Sequence, residues 1–198
     1  MKEGTVFFDL GNVLLFFSHQ KMFQQLSDLT KIPTELLQQQ FLNRGVFNDY
    51  ESGRLPTEQI YRILQSHSSR SFSLLEAMQA ASDIFTPNKE LWSLVKALKK
   101  KSNRLVLLSN TNECHFNFAY SHYPILKLFD AFILSYQVGA CKPDPAIFQR
   151  ALQEARGSSF YTDDVPAYVK AARSVGLDAE LYTEPPLLKR HLEERGFL

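Results

Sequence analysis

The chain has 198 residues, with 22 basic and 21 acidic side chains and a net charge of +1. That balance excludes the basic excess of a general nucleic-acid binder, and no apolar run approaches the ~20 residues of a membrane helix. Two cysteines, Cys114 and Cys141, make no disulfide framework, and without a C-x-x-C pattern a structural zinc site is not expected. The apolar amino terminus carries Glu3 where a signal peptide would be basic, and Asp9 and Asn12 interrupt it. A soluble cytoplasmic protein is expected, with neither nucleic acid nor membrane as partner. The 16 Phe and 8 Tyr are read as core filling.

In chain order, Thr5-Val6-Phe7-Phe8 reads as a buried strand ending at Asp9 and Gly11. Helical patterns follow. Ser18 is placed to cap a helix carrying Met22, Phe23, Leu26 and Leu29; Pro33 opens another with Leu36, Leu37 and Phe41. Phe47–Ser52 stops at Gly53, Thr57–Gln65 carries Ile60, Tyr61 and Leu64, and Ser73-Leu74-Leu75-Glu76 spells a capping box. Leu91, Leu94, Val95 and Leu98 mark the next helix, closed by three lysines that oppose its dipole. Short strands are expected at 104–108, 129–134, 159–161 and 179–182. A helix opens at Asp144-Pro145, and another runs from Pro166 to a stop at Gly176.

Strand and helix alternate from residue 88 onward, which predicts an α/β fold with a Rossmann-like parallel sheet. The stretch from Asp9 to Ser109 far exceeds the ~30 residues of a βαβ unit. Its excess is helical in pattern and reads as an insert after the first strand. The expected division is a core of residues 1–15 and 87–198 and a helical insert of residues 16–86.

Ligands of open parallel sheets bind at the carboxyl ends of the strands. There the sequence places Asp9 after the first strand, Ser109 and Asn110 after the second, Lys142 beyond the third and Asp163-Asp164 after the fourth. A carboxylate can act as nucleophile, a hydroxyl and a lysine can hold a phosphoryl group, and further carboxylates can complete an oxygen-lined Mg²⁺ site. Singly, each signal is weak: an Asp at a strand end is often only a helix cap, as Asp163 and Asp164 could both be, and a lone Lys before Pro is more often plain surface; the ordered set of four shifts the odds.

That set resembles the haloacid dehalogenase (HAD) superfamily along nearly the whole chain. Phe8-Asp9-Leu10-Gly11-Asn12-Val13-Leu14 resembles its first motif and Leu107-Leu108-Ser109-Asn110-Thr111-Asn112 its second. Lys142-Pro143 with Ile147-Phe148 resembles the third, and Tyr161-Thr162-Asp163-Asp164 the fourth. The insert resembles a helical C1-type cap. The wording is nearest to bacterial glucose-1-phosphate-type phosphatases and the phosphatase domain of epoxide hydrolases, whose cap Glu51-Ser52-Gly53-Arg54-Leu55 also resembles. The resemblance implies a Mg²⁺-dependent phosphatase of a small phosphorylated metabolite, a sugar phosphate among the options. Asp9 would be the nucleophile that forms an aspartyl-phosphate. Ser109 and Asn110 would bind phosphoryl oxygens, and Lys142 would pair with phosphate and Asp9. Mg²⁺ would be held by Asp9, the Gly11 carbonyl and Asp164, with Asp163 direct or through water.

Two positions depart from the family pattern. Gly11 stands where many members carry an Asp that serves as general acid and base, and Tyr168 stands where Asn usually supports the metal. His19, His115 and Glu113 are the alternative proton carriers considered. Arg44, Arg54, His19 and Tyr50 are the insert residues considered for substrate contact. Two rival readings are a catalytically weakened binding protein on this fold, which Gly11 and Tyr168 favour, and a haloacid dehalogenase proper. The latter needs no metal and would leave the Asp163-Asp164 pair without purpose.

Overall fold

Thr5–Phe8 (β1) is buried along its whole length because it lies between two other strands and under helices on both faces. The computed structural model of the chain describes residues 4–43 and 45–198. After β1 the chain turns back through Leu15–Phe17 (β2), which pairs antiparallel with Phe85–Pro87 (β3). Between these two short strands run α1 (His19–Thr30), α2 (Thr34–Gln38), α3 (Val46–Glu51), α4 (Thr57–His67) and α5 (Leu74–Ser82). Beyond β3 come α6 (Lys89–Lys100), β4 (Arg104–Ser109), α7 (Glu113–His122), β5 (Ala131–Leu134), α8 (Ser135–Val138) and α9 (Pro145–Glu154). The chain finishes with β6 (Ser159–Asp163), α10 (Pro166–Ser174), β7 (Ala179–Leu181) and α11 (Pro185–Glu194).

The main sheet has the order β5-β4-β1-β6-β7 and every pairing in it is parallel. Alternation along the strands divides the core into two layers. Val6, Phe8, Leu105, Leu107 and Phe160 pack on one face with Leu91, Leu98 and Leu192. Phe7, Val106, Leu108 and Tyr161 pack on the other with Ile147, Phe148 and Val169. Phe7, Phe8, Phe23, Phe148 and Phe160 are fully buried, so aromatic filling of the core is observed. A third cluster, with Met22, Phe23, Leu26, Phe41 and Leu64 at its centre, belongs to the inserted helices.

The expected caps form. Ser18 Oγ accepts the Lys21 N–H at 3.1 Å, and Ser73 and Glu76 complete a reciprocal capping box. Asp144 accepts the Ala146 N–H at 2.9 Å, just ahead of Pro145 at the first helical position. Some elements differ from expectation. The helix opened by Pro33 breaks into α2 and a π-helical turn, Gln39–Asn43. The strand expected from residue 129 begins at Ala131, because a 3-10 turn, Pro124–Leu128, ends at Phe129. The β2–β3 ribbon, α7 and α11 were not expected from the sequence. The ribbon is three residues long on each side, too short to show a period, and in α7 the buried residues Cys114, Phe116 and Ala119 are interleaved with a buried His115, which blurs the apolar stripe.

The inserted helices are bound to the sheet layer by side chains. Tyr50 donates to Cys114 Sγ at 2.7 Å, and Thr57 donates to Glu113 Oε2 at 2.5 Å. Ser135 Oγ lies 2.6 Å from the Glu51 carbonyl oxygen.

Candidate active site

The register of β1 with β4 and β6 places Phe8 opposite Leu107 and Thr162. Asp9, Ser109 and Asp163 therefore emerge at neighbouring levels at the carboxyl end of the sheet. A cavity of about 260 Å³ opens there. Its walls include Asp9, Gly11, Ser109, Asn110, Lys142, Asp164 and Tyr168 from the sheet layer, and His19, Phe47 and Glu51 from the inserted helices. A second cavity, about 310 Å³, lies among Leu36, Leu37, Ile63 and Leu64 of the inserted helices. It holds none of the strand-end residues.

Lys142 is the centre of the site. The residue is 2 % exposed, and its ammonium lies 2.8 Å from Asp9 Oδ1 and 2.6 Å from Asp163 Oδ2. It also donates to the Leu108 carbonyl at 3.1 Å and stands 5.1 Å from the centre of the Tyr168 ring. Burial works to lower the Lys142 pKa, but the two carboxylates outweigh it and hold it above the ordinary lysine value. Burial pushes Asp9 up to about 7; Lys142 pulls the other way, and the Asp163 charge adds to the rise.

Asp163 is fully buried, and both of its oxygens are engaged by protein. Oδ1 accepts the Val165 N–H at 2.8 Å; Oδ2 accepts from Lys142 and from the Tyr161 hydroxyl. Its visible work is to hold Lys142. Asn110 also braces that lysine: its side-chain oxygen accepts the Lys142 backbone N–H at 2.7 Å, and its amide donates to the Lys142 carbonyl at 2.9 Å. Ser109 is almost fully buried and forms part of the cavity wall, with its hydroxyl donating to the Asn110 carbonyl at 3.2 Å. Asp164 is half-buried and accepts from the Asn12 amide at 3.2 Å; burial raises its pKa.

Asp9, Asp163 and Asp164 each offer a carboxylate oxygen within 4.8 Å of the others. Of these three, Asp163 is engaged by protein, and Asp9 and Asp164 line the cavity. An all-oxygen, anionic donor set of this kind fits a small hard cation such as Mg²⁺, which binds through one or two carboxylates and keeps several waters.

A family model described as a haloacid dehalogenase-like hydrolase matches residues 4–176. The chain belongs to that family. Among curated proteins, this HAD hydrolase is 25% identical to a D-ribitol-5-phosphate phosphatase of Bacteroides thetaiotaomicron, over 88% of the chain and 89% of the relative. The HAD-like fold extends to solved structures. A HAD family enzyme of the same organism, in complex with magnesium and inorganic phosphate, superimposes with a TM-score of 0.78 at 21% identity, covering 91% of this chain and 94% of that one. A predicted HAD-like hydrolase from Porphyromonas gingivalis gives 0.78 at 23% identity, covering 97% and 98%.

The structure separates the other residues singled out in the sequence. His19 lines the cavity, its ring 5.0 Å from that of Phe17 and 5.2 Å from that of Phe47, and burial lowers its pKa. Tyr50 is turned into the Cys114–Thr57 contact, and Arg54 pairs with Asp49 at 2.6 Å; neither forms a cavity wall. Arg44 lies outside the described residues. His115 has both ring nitrogens occupied, Nδ1 facing the Asn112 amide at 3.1 Å and Nε2 the Ala81 carbonyl at 3.1 Å. Glu113 accepts from Thr57 and is not in the cavity wall. Tyr168 lies against Lys142, with its hydroxyl 3.4 Å from the Asn110 amide. Sequence reasoning did not assign Glu51 a chemical role. Its signal was Gly53 two residues on, which marks a turn that must approach another chain segment closely.

Proposed function

We propose that this HAD hydrolase is a Mg²⁺-dependent phosphatase of a small phosphorylated metabolite and works through an aspartyl-phosphate on Asp9. The observation that carries the reading is the seat of Asp9: a buried carboxylate, 2.8 Å from a buried lysine, at the floor of a cavity that also takes in Asp164. The magnesium and phosphate held by one structural neighbour and the phosphatase activity named for the curated relative support it. That relative also points to a phosphorylated sugar or sugar alcohol as substrate class.

In this reading Asp9, the Gly11 carbonyl and Asp164 would hold Mg²⁺, with Asp163 behind them steadying Lys142. When bound, the ion offsets the repulsion between an anionic nucleophile and a dianionic ester. Lys142 adds a fixed positive charge at the same place without reorganisation. Ser109 would orient phosphoryl oxygens through its hydroxyl. Asn110, whose side chain is engaged with Lys142, would contribute its backbone N–H. The Asp9 oxygen attacks phosphorus, the ester oxygen leaves, and water then hydrolyses the acyl phosphate. Residues 16–86 would serve as a cap that closes over the cavity and excludes bulk water.

The test is hydrolysis of a panel of phosphorylated sugars and sugar alcohols with Mg²⁺, followed by trapping of labelled phosphate on the protein. Turnover with a label that maps to Asp9 is expected. No hydrolysis of any ester by folded, Mg²⁺-supplied protein would overturn the reading.

A further inference from the structure

We propose that Glu51, at the end of α3, is the general acid and base of the reaction, doing from the inserted helices what a side chain at position 11 would do from the sheet. The inference rests on the phosphatase reading above.

Gly11 has no side chain to supply the carboxylate that many HAD hydrolases carry two residues after the nucleophile. A Cβ built on Gly11 would meet the Phe17 ring at 2.7 Å. The ring fills that space, so the proton carrier must come from another wall of the cavity. Among the described residues in those walls, His115 has both nitrogens occupied and is pushed down to about 4 by burial. Asp9 and Asp164 serve as nucleophile and metal ligand. Lys142 is held between Asp9 and Asp163, and the Tyr168 hydroxyl sits against the Asn110 amide and is pushed by burial further above the ordinary phenol range. His19 and Glu51 remain.

Glu51 is the better placed. Its backbone is fixed to the loop after Ser109: Ser135 Oγ lies 2.6 Å from the Glu51 carbonyl and 2.9 Å from that of Thr111, and accepts the Thr111 N–H at 2.9 Å. Gly53 seals the same turn. It has φ +73°, and a Cβ there would stand 2.2 Å from the Tyr136 carbonyl oxygen. These two contacts fix the backbone around Glu51 against the sheet layer, and Glu51 lines the cavity wall together with Asp9 and Lys142. Asp9 enters the cavity from the strand ends. In an in-line displacement the leaving oxygen points away from the nucleophile, toward the inserted helices that carry Glu51.

The groups around Glu51 are Lys142, Asp9, Asp164 and Tyr168 of the sheet layer, Cys141 on the adjoining loop, and His19 of α1. Burial pushes the Glu51 carboxyl up to about 7, with Lys142 opposing. A carboxyl near that value carries a proton at neutral pH and can also give it up.

The proton balance closes over both halves. As Asp9 Oδ bonds to phosphorus and the P–O ester bond breaks, the leaving oxygen takes the Glu51 proton. This yields an alcohol, the aspartyl-phosphate and a Glu51 carboxylate. That carboxylate then takes a proton from water as the water oxygen bonds to phosphorus. The Asp9–P bond breaks, leaving orthophosphate, a free Asp9 carboxylate and protonated Glu51.

The experiment compares wild type, Glu51→Gln and Glu51→Asp, each with Mg²⁺, on p-nitrophenyl phosphate and on an alkyl phosphate. Melting temperature and orthophosphate affinity are measured alongside. Since general acid catalysis contributes about 10²–10⁴-fold, Glu51→Gln should lose about 10²-fold more kcat/KM on the alkyl ester than on the aryl ester, whose leaving group needs little help. It should also lose the alkaline limb of the alkyl-ester pH profile, and Glu51→Asp should keep it. Formate should restore part of the alkyl-ester activity to Glu51→Ala. Equal losses on both esters, a change confined to KM, or loss of the limb in His19→Asn rather than in Glu51→Gln would overturn the assignment and leave the phosphatase reading standing. A wild type inactive on every ester would overturn both.

Discussion

Lys142 Nζ lies 2.8 Å from Asp9 and 2.6 Å from Asp163, and the three side chains are buried together. One ammonium thus satisfies two carboxylates from adjacent strands. Removing it leaves Asp163 with one fewer partner and Asp9 with no counter-charge. Breaking a buried ion pair by deleting one partner costs about 3–5 kcal/mol. Lys142→Met should therefore lower the free energy of urea unfolding by about that much, besides removing activity. A variant as stable as wild type would show that the carboxylates neutralise by taking up protons.

Asp9→Asn should abolish turnover while the far-UV spectrum and the cooperative unfolding transition persist. An amide is neither a nucleophile toward phosphorus nor a good ligand for Mg²⁺. Turnover by that variant, with contaminating phosphatase excluded, would rule out the aspartyl-phosphate.

Asp164 faces the cavity and accepts from the Asn12 amide. Asp164→Ala should lose activity through weakened Mg²⁺ binding, read as a larger half-saturating Mg²⁺ concentration or as no activation at all. EDTA should silence the wild type, and added Mg²⁺ should restore it. Full activity in EDTA would favour metal-free chemistry.

Gly53 packs directly against the Tyr136 backbone, leaving no space for a side chain. An alanine there meets both a left-handed backbone, which costs an L-residue about 1–2 kcal/mol, and the Tyr136 carbonyl oxygen. Gly53→Ala should lower kcat/KM about tenfold or more by displacing Glu51, since small misplacements in a site carry costs of that order or larger. The expected companion is a lower melting temperature.

His115 is buried and neutral, pushed down to about 4 from 6.5. The unfolded chain therefore takes up a proton first. The stability that neutral His115 contributes is complete above pH 6.5 and declines as pH falls toward 4. Over that window the loss amounts to roughly 2–3 kcal/mol. Urea unfolding at pH 7.5 and pH 4.5 should show wild type losing about that much more than His115→Gln; equal losses would mean the imidazole opens to solvent before it charges.

Much of this protein was legible in the sequence because its chemistry is tied to strand ends. A buried strand such as Val6-Phe7-Phe8 must stop where a charge appears, so Asp9, Ser109 and Asp163 are marked by the apolar runs before them. Parallel register then brings them together without further information. Lys142 and Asp164 were found through the same order of elements, and the caps at Ser18, Ser73 and Asp144 through local hydrogen-bonding chemistry.

Contacts between segments distant in the chain were decided by tertiary structure alone. Asp163 and Asp164 are neighbours with the same side chain, yet one is engaged on both oxygens and the other faces the cavity. Alternation sends them to opposite sides of the backbone, and only the packed sheet says which side holds Lys142. Tyr50, Glu51 and Arg54 lie within five residues of one another. The last turn of α3 sends Tyr50 to Cys114 and Glu51 into the cavity, and the turn after it brings Arg54 back to Asp49 on the surface. The sequence spells all three as polar residues beside a glycine. Which of them reaches the cavity depends on how the inserted helices seat on Ser135 and Tyr136, a fit of shapes that no local pattern encodes.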